Sequence, residues 1–131
     1  MSTIVEQYFN TWNEKDADRR LALAEKTWTP DGRYVDPQAD VTGPAAFSEL
    51  AANVHKLAPD HTFHLTSAVE QHHDQIRFSW DMVSPAGEVA LSGVDFGRLA
   101  DDGRLAAITG FFGATPPAAG DDSDTPSSSV G

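Results

Sequence analysis

The segment GRYVDP, residues 32–37, is the part of the sequence around which the rest of the chain is organised. Residues 33–36 are typical of a short strand, and Pro37 ends it because proline has no N–H for a sheet ladder and holds the preceding residue extended. Asp36 therefore stands at the last extended position, where its carboxylate could point into a cavity. The alternative is that Asp36 only begins a turn, since Asp, Pro and Gly are common turn residues.

Composition limits the classes of function. The chain has 131 residues, which suits one domain, and it is 40% hydrophobic. It has no cysteine, which excludes disulfides, thiolate metal ligands and a cysteine nucleophile. The formal net charge of −11 argues against nucleic acid and anionic membranes as partners and favours a neutral or apolar small molecule. The N-terminus lacks a signal-peptide pattern and no apolar run is long enough to span a membrane, so we expect a cytoplasmic protein.

Two helices are predicted before the opening segment. In the first, Ile4, Tyr8 and Trp12 recur every four residues and form an apolar stripe. A second helical stripe follows, formed by Ala17, Leu21, Ala24 and Trp28. Residues 29–32 are expected to form a turn that leads into the strand.

The pattern after the opening segment changes from helical to extended. Residues 38–42 are predicted to be a polar loop, and a third helix begins at Gly43 and Pro44. From Thr62 the apolar period is two, with hairpin turns at residues 72–74, 84–87 and 101–103. This order predicts an α+β fold in which three N-terminal helices pack on one face of a curved antiparallel sheet. Such a sheet leaves a cone whose inner end could hold a ligand.

The C-terminal end differs in composition from the rest. Residues 114–131 are mainly Pro, Gly, Ser, Asp and Ala, with almost nothing to bury. We predict a folded domain over residues 1–113 and a disordered tail over residues 114–131.

Five motifs, taken together, resemble the nuclear-transport-factor-2-like superfamily in its SnoaL-like, ketosteroid-isomerase-like branch. They are YFNTWNEKD at 8–16, YVDP at 34–37, GP at 43–44, VDF at 94–96 followed by DG at 102–103, and FFG at 111–113. The resemblance implies a cone-shaped α+β barrel of the cystatin-like kind. It also implies a homodimer formed through the outer face of the sheet, and a hydrophobic pocket that needs no cofactor.

The resemblance also implies an active site. In ketosteroid isomerases, a tyrosine on the first helix, an aspartate just before a proline and an aspartate on the strand before the last hairpin form it. Tyr8, Asp36 and Asp95 stand at those places. Asp36 would be the general base, and Tyr8 and Asp95 would donate hydrogen bonds to the substrate oxygen. Asp95 donates only when it is protonated, which requires an apolar setting that raises its pKa.

Each site residue also has a structural interpretation. Tyr8 could be a core aromatic whose hydroxyl meets a backbone carbonyl, and Asp95 could face outward to pair with Arg77 or Arg98. The residues predicted to line the pocket are Trp12, Trp28, Tyr34, Phe47, Leu50, Val54, His55, Phe63, Phe78, Trp80 and Phe111. Core packing is the alternative for all the aromatic ones, and a structural role is the alternative for His55. No metal site is expected.

The sequence therefore leads to one main hypothesis on function and two alternatives. The main hypothesis is a cofactor-independent enzyme that acts on a hydrophobic carbonyl compound, by ketosteroid-isomerase-like proton transfer or by polyketide-cyclase-like aldol chemistry. The alternatives are a non-catalytic small-molecule-binding protein and a protein-interaction module that uses the sheet face, because one fold supports many functions.

Overall fold

The computed structural model describes residues 3–113 and 116–118. Within them the helices are α1 (Thr3–Asn13), α2 (Ala17–Thr27) and α3 (Pro44–Leu57). The strands are β1 (Trp28–Asp36), β2 (Ala39–Thr42), β3 (Thr62–Leu65), β4 (Glu70–His72), β5 (Gln75–Val83), β6 (Val89–Leu99) and β7 (Leu105–Phe112). The predicted tail lies outside the described residues apart from 116–118.

The strands form one curved sheet in the order β2-β1-β7-β6-β5-β3, and β4 also pairs with β5. β1 runs parallel to β7, whereas the other pairs are antiparallel. The end strands β2 and β3 do not pair with each other, so the sheet is not closed into a barrel. The α+β fold with three helices is confirmed. The predicted curved sheet is mixed and not antiparallel throughout, because β7 inserts in parallel beside β1. The implied barrel is wrong, because β2 and β3 do not pair.

The strand that carries Asp36 is longer than predicted. It begins at Trp28, so the predicted turn at residues 29–32 lies inside it, where its register on β7 shifts between Trp28 and Arg33. Gly32 is required there, since a Cβ would lie 2.6 Å from the Trp28 ring. The predicted loop at 38–42 also contains a strand, β2, which returns along β1 as the second arm of a hairpin.

The predicted strand from Thr62 is divided into β3 and β4. Both pair with β5, but a side chain interrupts the ladder between them, since Ser67 Oγ accepts the backbone N–H of Ser79 at 2.7 Å. The alternating apolar pattern continues through this break, which explains why the sequence indicates one strand.

The helices bury their apolar stripes against one face of the sheet. Tyr8, Trp28, Phe47 and Phe78 are each about 1% exposed and form the centre of an aromatic core. In the described part of the chain, no helix is both long and apolar enough to cross a membrane.

Candidate active site between the helices and the sheet

A cavity of about 270 Å³ lies between the helices and the sheet. Tyr8, Asp36 and Asp95 all line it, so the fold brings together the three residues that the resemblance singled out. The predicted wall residues that also line it are Trp12, Tyr34, Leu50, Val54, Phe63 and Trp80. The wall is mainly apolar, and the hydrogen-bonding groups converge on the two aspartates.

Asp95 points inward from β6 and is only 2% exposed. The Tyr8 hydroxyl donates to Asp95 Oδ2 at 2.8 Å, and Trp80 Nε1 donates to Oδ1 at 3.1 Å. Each carboxylate oxygen thus has one donor from the protein. The alternative in which Asp95 faces outward to Arg77 or Arg98 is wrong, because the alternation of β6 turns this position toward the helices.

Burial determines the protonation of Asp95 and Tyr8. It raises the pKa of Asp95 to about 7, against the opposing effect of the hydrogen bonds from Tyr8 and Trp80, and the charge of Asp36 adds to the rise. Asp95 is therefore present in both protonated and ionised forms near neutral pH. Burial, and next the charge of Asp95, also raise the pKa of Tyr8 well above its ordinary value, so Tyr8 keeps its proton and remains a donor.

Asp36 is half-buried at the end of β1. Its Oδ2 accepts a hydrogen bond from the Tyr34 hydroxyl at 2.7 Å, and its Oδ1 accepts one from the backbone N–H of Gln38 at 2.7 Å. Tyr34 and Asp36 are two residues apart on one strand and so point to the same face. Burial raises the pKa of Tyr34, which keeps its hydroxyl protonated. Asp36 thus stabilises the turn after β1 and also faces the cavity.

A glycine on β7 leaves the space in which the two aspartates meet. Gly110 lies opposite Asp95 in the ladder. A Cβ at this position would lie 2.8 Å from Asp95 Oδ1, and 3.6 Å from both Asp36 Cβ and the Tyr34 hydroxyl oxygen. A larger residue would therefore displace the Asp95 carboxylate. No pattern in the sequence marked Gly110 as a site residue.

Four residues predicted for the pocket wall lie elsewhere in the interior. Trp28, Phe47 and Phe78 belong to the aromatic core around Tyr8 and do not line the cavity. His55 does not line it either, because its Nε2 lies 2.6 Å from the backbone oxygen of Trp12 at the end of α1. Core packing therefore describes the position of the three aromatic residues, and a structural role describes that of His55.

Phe111 was predicted for the pocket wall, and this placement is wrong. It is 56% exposed on the opposite face of the sheet, whereas Phe112 lines the cavity. Phe112 pairs with Gly93, which shares the face of Asp95, and this register decides which of the two rings points inward. The sequence leaves the choice open because Gly110 has no side chain to mark the inner face.

Several lining residues were missed by the sequence analysis. They are Phe9, Gln38, Ala39, Asn53, Leu57, Ala58, Met82, Leu91 and Phe112. Strand alternation carried a signal for Met82, two residues after Trp80, and for Leu91, which shares the face of Asp95. No pattern marked Gln38, because the strand after it was not predicted. No group of three or more His, Asp or Glu side chains suited to a metal ion occurs in the described ranges.

Comparisons with known proteins show which proteins this chain resembles. A family model described as a SnoaL-like domain matches residues 5–108. A structure from Agrobacterium tumefaciens, provisionally named an isomerase of the SnoaL-like family, is 31% identical with a TM-score of 0.82, and the match covers 86% of this chain and 96% of that one. No curated protein matches the chain significantly.

More distant structures share the fold alone. One from Sinorhizobium meliloti, provisionally named a polyketide cyclase, is 20% identical with a TM-score of 0.66, covering 84% of this chain and 94% of that one. One from Catenulispora acidiphila, with a ketosteroid-isomerase-like fold and in complex with trimethylamine, is 16% identical with a TM-score of 0.68, covering 84% and 85%. Others are named NTF2-like or cystatin-like in fold. With a family model that spans most of its length, the chain belongs to the SnoaL-like family.

Proposed function

We propose that the protein is a cofactor-independent enzyme that moves a proton on a carbon next to the carbonyl group of a hydrophobic compound. The observation that carries this proposal is the Tyr8–Asp95 pair and Asp36 facing one largely apolar cavity. The names of the similar structures, an isomerase and a polyketide cyclase, support the same class of reaction.

Each residue has a role in this chemistry. Asp36 accepts the proton from the carbon, and the resulting enolate carries its negative charge on oxygen. In an isomerisation Asp36 returns the proton to a different carbon. In an aldol cyclisation the enolate carbon attacks a second carbonyl of the same molecule, and Asp36 gives its proton to the alkoxide that forms. Tyr8 and protonated Asp95 donate hydrogen bonds to the enolate oxygen, and one such donor contributes about 3 kcal/mol to catalysis.

The protonation of Asp95 links the observed contacts to these roles. A pKa of about 7 leaves a large protonated share at neutral pH, and that share can donate a hydrogen bond. The Tyr8 hydroxyl, which donates to Asp95 in the structure, turns its proton to the ligand oxygen when a carbonyl compound enters. The buried setting makes both donors more effective than they would be in water.

Proton exchange with solvent tests the proposal without knowledge of the natural substrate. A panel of hydrophobic ketones, including a β,γ-unsaturated one, is incubated with the protein in D₂O, and deuterium at the α-carbon is followed by NMR. We expect exchange with the wild-type protein and a loss of about 10²- to 10⁴-fold in Asp36→Asn. Asp101→Asn, which removes the same charge from an exposed turn, is the matched control. Full exchange activity in Asp36→Asn would contradict the role of Asp36.

The second candidate is a non-catalytic binding protein on the same scaffold. It is favoured by the hydrogen bonds already made to both aspartates, because Tyr8, Trp80, Tyr34 and the Gln38 N–H all donate to Asp95 or Asp36. Tight binding of phenols without exchange in any ketone would support this candidate over the enzyme.

The proposal extends to the assembly of the protein. Phe96 and Phe111 are 41% and 56% exposed on the outer face of the sheet, and their ring centroids are 6.0 Å apart. Adjacent exposed rings on a sheet favour burial against another surface. We propose that a second copy of the chain covers them in a homodimer, with a protein-interaction role of this face as the alternative.

A further inference from the structure

We propose that the cavity binds ligands that carry a methylated ammonium group. This inference goes beyond the proposed reaction, because it concerns ligands that favour ionised Asp95, whereas the reaction uses protonated Asp95. It holds whether or not such a ligand is turned over. It rests on the aromatic rings that line the cavity and on the two carboxylates that accept hydrogen bonds from two of these rings.

Five rings that line the cavity form a continuous series, termed here the aromatic box: Tyr34, Trp12, Phe63, Trp80 and Phe112. Successive ring centroids are 5.6, 5.0, 5.6 and 6.0 Å apart. Three of the four contacts have interplanar angles of 60° or more, so these neighbouring rings are inclined to one another and are not stacked. Several aromatic rings that line one cavity can offer their faces to a methylated ammonium ion.

Two rings of the box are hydrogen-bonded to carboxylates through their edges. Tyr34 donates to Asp36 at 2.7 Å, and Trp80 donates to Asp95 at 3.1 Å. A ring whose O–H or N–H donates a hydrogen bond to an anion gains electron density, because hydrogen-bonded groups polarise one another. Its face therefore attracts a cation more strongly than the face of an isolated ring.

The charges around the cavity point to the same ligand. Its described lining contains two carboxylates and no Lys, Arg or His side chain. An anionic ligand would meet these carboxylates without a compensating charge, whereas a cation would be attracted by them. A tertiary or quaternary ammonium group also suits an apolar wall, since its methyl groups contact the rings while its charge is spread over the whole group.

Choline and 3,3-dimethylbutan-1-ol provide the test, because they share one shape and differ in that a quaternary carbon replaces the charged nitrogen. Binding of each to the full chain is measured by isothermal titration calorimetry. We expect choline to bind about tenfold more tightly or better. Phe63→Leu should reduce this preference, and Phe111→Leu, the same change on the outer face, should leave it unchanged.

Charge variants and pH separate attraction of the cation from simple filling of the cavity. Asp36→Asn should weaken the binding of choline about tenfold and leave that of the neutral alcohol unchanged, while Asp101→Asn should affect neither.

The groups that face Asp95 are Tyr8 on α1, Trp80 on β5, Tyr34 and Asp36 on β1, and the backbone of Gly110 on β7.

A cation favours the ionised form of Asp95, so choline affinity should rise between about pH 6 and about pH 8. This rise should be lost in Asp95→Asn. Equal affinities of choline and the alcohol, tighter binding of 3,3-dimethylbutanoate, or no binding of choline at millimolar concentration would overturn the proposal. Choline contains no carbonyl group, so these results are independent of the exchange assay and of its outcome.

Discussion

The buried carboxyl group of Asp95 makes the stability of the protein depend on pH. Its pKa rises from 3.8 to about 7 on folding because it loses contact with water, so the folded chain binds the proton more tightly than the unfolded chain does. The resulting stabilisation is complete below about pH 4 and is lost as the pH rises through about 7. This direction is opposite to that of Asp40, whose pKa is lowered by its hydrogen bond from Arg33.

We therefore expect Asp95→Asn to remove a pH-dependent loss of stability. Between about pH 4.5 and about pH 8, the free energy of unfolding of the wild-type chain should fall relative to that of the variant, by an amount on the order of a few kcal/mol. Urea unfolding of both proteins at several pH values measures this difference. Parallel curves would show that the burial of Asp95 does not control its protonation.

Gly110 provides a second test at the scale of one residue. Gly110→Ala should push the Asp95 carboxylate out of place, because the new Cβ would lie 2.8 Å from Oδ1. We expect a loss of about 1–3 kcal/mol in unfolding free energy, as in other overpacked sites, together with a loss of ketone exchange. Thr109→Ala, at the exposed neighbouring position on β7, is the control and should change both quantities little. Wild-type stability and exchange in Gly110→Ala would mean that Asp95 can move freely.

Among the elements, the end of α1 is fixed to β3 by one amide side chain. Asn13 Nδ2 donates to the backbone oxygen of Phe63 at 3.0 Å, and Asn13 Oδ1 accepts the N–H of Phe63 at 2.8 Å. The side chain thus satisfies both backbone groups of a residue whose ring lines the cavity. This contact positions Phe63 against Trp12.

Asn13→Ala should therefore loosen β3 more than it affects the rest of the fold. The backbone N–H and oxygen of Phe63 would lose their partners, which should lower the free energy of unfolding by about 1–3 kcal/mol. Amide hydrogen exchange, measured by NMR, should become faster at Phe63 than in β6. Asn10→Ala, on the exposed face of α1, is the control. Unchanged exchange at Phe63 in Asn13→Ala would contradict the positioning role.

Elements with strong local patterns were predictable. The helix predicted from the stripe of Ile4, Tyr8 and Trp12 and the start predicted for the third helix match the structure, and the predicted hairpin turns separate β5, β6 and β7. The errors fall where a distant part of the chain decides the structure. Residues 29–32 are extended because β7 pairs with β1, and Ala39–Thr42 is a strand because it pairs with β1. Residues 29–32 have no apolar pattern of their own, and Ala39–Thr42 alternates over only four residues.

The residues of the candidate site were also predictable only in part. The position before Pro37 placed Asp36 at a strand end. The family resemblance implied a site position for Asp95, but the sequence left open whether its side chain faces inward or outward. The contacts between elements did not follow from the sequence: Tyr34 was predicted as pocket wall, and its hydroxyl also donates to Asp36. The choice between Phe111 and Phe112 required the register of β7 on β6, which the sequence does not contain.

For the whole molecule, the homodimer proposal predicts how the protein behaves in solution. Phe111→Glu should convert a dimer to a monomer, because it places a charge among apolar groups at the proposed contact. Light scattering coupled to size-exclusion chromatography gives the mass of each species. Leu57→Glu removes an equally apolar side chain that is 85% exposed at the end of α3, and should leave the dimer intact. A monomeric wild-type protein would contradict the proposal.

The parallel pairing of β1 with β7 also determines when the cavity becomes complete during synthesis. β7 lies between β1 and β6 in the sheet, although it is the last strand within the described residues. A nascent chain that ends before residue 105 has no strand to join the hairpin of Asp36 to the hairpin of Asp95. The two halves of the site therefore assemble only when the ribosome has released nearly all of the described chain, and contacts between such distant segments are slow to form.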